Sequence, residues 1–114
     1  MVNNQKSLRD GVIKKFLSRL SPLHANIKEI YLFGSRSRGD WRPDSDYDIL
    51  IVLSKKDREI ISKFYDAVAE ILLDSGKMIS LKIFTSSEFN RLSSIPTPFM
   101  ERVLTEGLKL GTRK

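Results

Sequence analysis

The chain has 114 residues (13.1 kDa) with 20 basic and 14 acidic side chains, a formal charge of +6 and a pI near 9.7, a size suited to one domain spanning residues 1–114. It has no cysteine, which excludes disulfides, thiol catalysis and Cys-based metal sites. The basic excess is spread along the chain, with 6 basic and 2 acidic side chains in residues 1–33, 3 and 4 in 34–54, and 11 and 8 in 55–114; this suits solubility more than a nucleic-acid stripe, so a nucleic acid is not the favoured partner.

Met1 to Lys6 lack the apolar core of a signal peptide and no run approaches membrane-spanning length, so the expected location is cytoplasmic. Leu8, Val12, Phe16 and Leu20 recur at steps of four, widened by Ile13 and Leu17, and predict a helix over Ser7–Leu20 that Ser21-Pro22 ends. His24, the single histidine, reads as a linker residue. Ile27–Phe33 mixes branched and aromatic residues in a short run bounded by Gly34, which predicts a first strand. Ile49–Leu53 is wholly aliphatic and suits a strand buried on both faces. Ser54 is placed to cap a second helix, with Asp57 in its first turn, through about Asp74; Ser75-Gly76 closes it. Met78–Phe84 alternates, with Ile79, Leu81 and Ile83 on one face and Ser80, Lys82 and Phe84 on the other. A helical crossover before it makes it parallel to the second strand. Thr85-x-x-Glu88 is a capping box for a short helix through Leu92. Pro98 opens a last helix with Phe99, Val103, Leu104 and Leu108 inward. The expected class is α+β with an α/β-like character: a small mixed sheet with helices packed on it.

Chemistry concentrates between the first two strands. Gly34, without a Cβ, allows a sharp turn and close approach of a ligand to the backbone. Ser35 can cap a short helix whose unpaired N–H groups attract phosphate. Asp46 and Asp48, two apart at the mouth of the second strand, share a face, with Cα atoms about 6.5 Å apart at a rise of about 3.3 Å per residue. Two carboxylates so placed repel unless a cation sits between them, and Mg²⁺ or Mn²⁺, taking oxygen ligands and keeping waters or phosphate oxygens, suits that place. The competing readings are weaker. Pro43, Asp44 and Ser45 are ordinary turn formers. Asp44-x-Asp46-x-Asp48 begins like a calcium loop, but Ile49 stands where glycine is required and Lys55 where the bidentate glutamate belongs.

The pattern Gly34-Ser35-x-x-Arg38-Gly39 followed by Ser45-Asp46-x-Asp48 and an aliphatic strand resembles the nucleotidyltransferase superfamily that includes DNA polymerase β. Its small size resembles the minimal nucleotidyltransferase (MNT) branch, found beside HEPN-domain partners in toxin–antitoxin pairs. The resemblance implies the nucleotidyltransferase fold, a nucleoside triphosphate held by Gly34, Ser35, Arg38 and Ser45, and Mg²⁺ or Mn²⁺ held by the catalytic pair Asp46 and Asp48. It also implies transfer of a nucleoside monophosphate, AMP by expectation, to an acceptor hydroxyl, and a HEPN-type partner or a second copy of the chain. The last helix and the loop around Trp41 are the expected contact surfaces.

Active relatives in that superfamily carry a third acidic residue on the strand matching Met78–Phe84. Here the position aligns with Ser80, and the strand has neither Asp nor Glu. Two functions follow: an enzyme whose base comes from the acceptor, from water or from a partner, or an antitoxin-like interaction module whose carboxylate pair Lys82 neutralises.

Overall fold

A computed structural model of the chain describes residues 10–34, 42 and 45–110. Helix α1 (Gly11–Leu20) leads through a 3₁₀ segment (Ser21–Asn26) into β1 (Ile27–Phe33). Then come β2 (Tyr47–Leu53), α2 (Arg58–Ser75), β3 (Ile79–Thr85), α3 (Ser86–Ser93), α4 (Pro98–Glu106) and β4 (Leu108–Lys109). The four strands form one mixed sheet in the order β3-β2-β1-β4. β1 pairs antiparallel with β2 and β4, while β2 and β3 run parallel, as the helical crossover α2 predicts.

Strand alternation sorts the side chains onto two faces. One face carries Ile30, Leu32, Tyr47, Ile49, Ile51, Leu53 and Ile79 against Ile13, Phe16 and Leu20 of α1 and Phe64, Ala67 and Ile71 of α2. The other carries Phe33, Leu50 and Val52 against Val103 of α4, with Tyr31, Phe84, Phe89 and Phe99 around them. β2 is therefore buried on both sides, which explains its unbroken aliphatic run. Phe99 is the hub of the second cluster, edge-on to Phe33 at 5.5 Å and to Phe84 at 6.5 Å. The β1–β2 register slips between Ile27 and Glu29. That extra residue lets Ile27 pack on the same cluster as Ile30, although strict alternation would separate them.

Several boundaries differ from the sequence expectation. Asp57, not Ser54, caps α2: its carboxylate accepts from the N–H groups of Glu59 (2.9 Å) and Ile60 (3.3 Å). Ser54 instead continues the chain out of β2, its N–H donating to the Asn26 carbonyl at 3.4 Å. α2 closes as expected, on Gly76 in the left-handed region at φ 73°. The capping box at Thr85 and Glu88 is also present in both directions. α4 stops at Glu106, so Leu108 lies on β4 rather than on the helix, and Leu104 points outward, 56% exposed. Gly107 ends the helix with its N–H on the Val103 carbonyl (2.8 Å), and Leu110, 1% exposed, extends the pairing by donating to Ile30.

Candidate active site

β2 presents two unlike ends. From Ile49 to Leu53 every side chain is buried, whereas Asp48 is half-buried and Asp46, just before the strand, is exposed. Alternation sets Asp46 and Asp48 on the face of Leu50 and Val52, as the i, i+2 spacing predicts. Asp48 lies between two partners in the sheet, Phe33 on β1 and Ser80 on β3. The position that the sequence aligned with a third carboxylate is thus directly beside Asp48, about 4.8 Å away across the ladder.

Gly34 follows Phe33 and turns the chain out of β1 at φ 77°. A Cβ there would stand 2.5 Å from Asp48 Oδ2 and 3.4 Å from its Cγ. The Asp48 carboxylate therefore lies over the Gly34 backbone. The glycine is needed twice, for its dihedral angle and for the space its missing side chain leaves to Asp48. Its first service is to the aspartate as well as to any ligand, a role that sequence alone did not show.

Ser45 shapes the approach to Asp46. Its hydroxyl accepts from the Arg42 N–H at 2.9 Å, and its own N–H donates to the Arg42 carbonyl at 2.9 Å. Ser35, Arg38, Trp41 and Asp44 lie outside the described residues. Lys82 stands two residues beyond Ser80 on the same face, opposite Leu50 and exposed. Among the described residues it forms no ion pair, so direct neutralisation of the aspartates by Lys82 is not the arrangement found.

Tyr47, which stands between the two aspartates, faces away from them. It is 2% exposed on the opposite face, and its hydroxyl donates to Asp10 Oδ2 at 2.8 Å. His24 is a linker residue, its Nδ1 3.0 Å from the Ser21 carbonyl. A groove of about 600 Å³ lined by Leu17, His24, Lys28, Glu29 and Lys109 opens there, at the start of β1, whereas Gly34 and the aspartates lie at its other end.

No group of three or more His, Cys, Asp or Glu able to hold a metal occurs among the described residues. The oxygen pair Asp46 and Asp48 nonetheless fits a hard divalent cation that draws its other ligands from water and phosphate. No described helix is long and apolar enough to cross a membrane.

A family model described as "Nucleotidyltransferase domain" matches residues 12–105. The chain is 38% identical over 99 residues to a Methanocaldococcus jannaschii protein named "Putative protein adenylyltransferase", covering 86% of this chain and 93% of that one. Its fold is similar to that of a toxin–antitoxin crystal structure with AMP-PNP (TM-score 0.57, 22% identity, 89% of this chain and 73% of that one). It is also similar to the MntA–HepT toxin–antitoxin (TM-score 0.51, 19% identity, 90% and 71%). A third likeness is to a complex of tri-AMPylated Shewanella oneidensis HEPN toxin with MNT antitoxin (TM-score 0.52, 18% identity, 90% and 71%). The small mixed sheet, the paired aspartates at the mouth of β2 and these likenesses agree: the chain belongs to the nucleotidyltransferase domain family, on the fold shared with the MNT antitoxins.

Proposed function

We propose that this chain is a single-domain, metal-dependent nucleotidyltransferase that moves a nucleoside monophosphate, AMP by its likeness to an adenylyltransferase, onto a hydroxyl of a protein partner. The observation that carries the reading is the packing of the Asp48 carboxylate over the Gly34 corner, with Asp46 on the same face. Asp46 and Asp48 would hold Mg²⁺ or Mn²⁺, while Gly34 and Ser35, with Arg38, receive the triphosphate. When bound, the metal supplies charge neutralisation at the phosphate oxygens. The acceptor oxygen forms its bond to the α-phosphorus, the bond to the bridging oxygen breaks, and pyrophosphate leaves. The acceptor's proton passes to a base that water, the nucleotide or the partner supplies, since Ser80 cannot take it.

The partner proposed is a HEPN-type protein, the kind seated beside MNT antitoxins in the similar structures, rather than a second copy. The outer side of α4, with Leu104 half exposed, is available for it. The protein is read as cytoplasmic. Ser80 beside Asp48 favours a second reading, a weakened transferase that acts by covering its partner.

The test is a transfer assay with α-labelled ATP, Mn²⁺ and a HEPN-type protein from the same organism. Label on the partner that disappears with Asp46→Asn plus Asp48→Asn supports the transferase. A stable complex without label supports the covering module, and transfer undiminished in the double variant overturns the site.

A further inference from the structure

We propose that Tyr47 and Asp10 are positioning residues that hold the Asp46–Asp48 segment from the opposite side of the sheet, an inference that rests on the reading of those aspartates as a metal pair. Asp46 lies before β2 and is exposed, so the pair straddles the strand's first residue, Tyr47. Strand ends open first, and two like charges at one end push it further in that direction. Tyr47 counters this on two sides. Its N–H donates to the Met78 carbonyl at 3.0 Å, extending the ladder with β3. Its ring is buried in the cluster under α1 and α2, and its hydroxyl donates to Asp10 Oδ2 at 2.8 Å, across 37 residues of sequence.

Asp10 is itself fixed. Its Oδ1 accepts from the N–H groups of Val12 (2.8 Å) and Ile13 (3.3 Å), capping α1, whose positive end favours the charge. One carboxylate thus uses one oxygen for the helix and the other for the residue between the two aspartates. Packing alone would be met by phenylalanine, because a buried phenol needs a partner and phenylalanine does not. The hydroxyl adds a directional link from the mouth of β2 to α1.

The experiment measures Mn²⁺–ATP binding to the full chain by calorimetry, with thermal unfolding in parallel. Tyr47→Phe keeps the ring and deletes the donor. Asp10→Ser keeps a capping oxygen but is too short to reach the phenol. Each should weaken Mn²⁺–ATP binding by about three- to tenfold, below the full worth of a hydrogen bond to a charged group because the link reaches the aspartates only indirectly. The double variant should be no weaker than either single one, because both break the same link. Asp10→Asn, which retains both a cap and a polar partner for the phenol, should restore affinity. Ile13→Val, a core change in α1 away from the aspartates, should lower the unfolding temperature without changing affinity. Wild-type affinity in folded Tyr47→Phe or in Asp10→Ser, losses that add in the double variant, or equal weakening by Ile13→Val would each overturn the proposal. If wild type fails to bind Mn²⁺–ATP, or if Asp46→Asn plus Asp48→Asn binds it unchanged, the metal-pair reading fails first and the proposal with it.

Discussion

The two faces of the sheet treat the same strands differently. Under α1 and α2, the face is apolar and buried from Tyr47 and Ile79 at one end to Leu53 at the other. On the opposite face, among the described residues, the half beneath α3 and α4 is filled by Leu50, Val52 and the aromatic cluster around Phe99. The other half carries Asp48 and Ser80, immediate chain neighbours of Tyr47 and Ile79, yet half-buried and polar. A filled face supplies stability and a fixed backbone, and that allows the adjoining half-face to hold two like charges close together. The comparison predicts that substitutions on opposite faces of β2 act on different properties.

The largest effect belongs to the filled face. Ile51 is fully buried and pairs with Ile30, so Ile51→Ala should destabilise the fold by about 2–5 kcal/mol in urea unfolding. Asp48→Asn should leave the unfolding midpoint nearly unchanged while weakening metal–nucleotide binding. Equal destabilisation by the two would erase the distinction between faces.

Next are the two glycines with positive φ. Gly34→Ala places a Cβ against Asp48 Oδ2, whereas a Cβ at Gly76 meets nothing within 4 Å. Both variants bear the left-handed strain of about 1–2 kcal/mol, but only Gly34→Ala must also displace the aspartate. Gly76→Ala should lower stability with unchanged Mn²⁺–ATP affinity, and Gly34→Ala should lower both. Loss of affinity in Gly76→Ala would show that binding follows global stability instead.

A smaller gain is expected at Ser80. Because Ser80 is the ladder partner of Asp48, Ser80→Asp should raise the transfer rate by about tenfold, less than the roughly 10²–10⁴-fold of a fully positioned base. Adding Lys82→Ala should sharpen the increase. A partner-supplied label assay reads it, and an unchanged rate would favour the covering module.

The smallest effect lies on the aromatic half. Burial and then the neighbouring Glu29, whose Oε1 accepts the Tyr31 hydroxyl at 2.7 Å, push the Tyr31 phenol up to about 12. A raised folded value stabilises below the ordinary tyrosine value, about 10, and that contribution is lost as pH rises toward 12. Stability should decline through this alkaline window, and Tyr31→Phe should flatten the decline. A Tyr31→Phe profile that matches wild type would remove the phenol as its cause.

Much of this was legible in the sequence because it is local. Helix stripes, the aliphatic run of β2, the Thr85–Glu88 capping box, Gly76 and the i, i+2 spacing of Asp46 and Asp48 depend on residues within a turn or strand of one another. The parallel crossover to β3 followed from chirality and connection length. Tertiary structure decided what depends on distant residues or on competition between near ones. β4 is two residues long, too short to show a period, and exists because β1 offers an edge. Asp57 prevails over Ser54 as a cap because the chain leaving β2 still pairs near Asn26 before the helix can begin. Leu104 faces outward because α4 buries the side carrying Met100 and Val103, and Gly107 ends the helix so that Leu108 joins the sheet. The placing of Ser80 beside Asp48, of Gly34 beneath its carboxylate and of Tyr47 against Asp10 required the folded chain, because each contact joins segments that only sheet register and helix packing bring together.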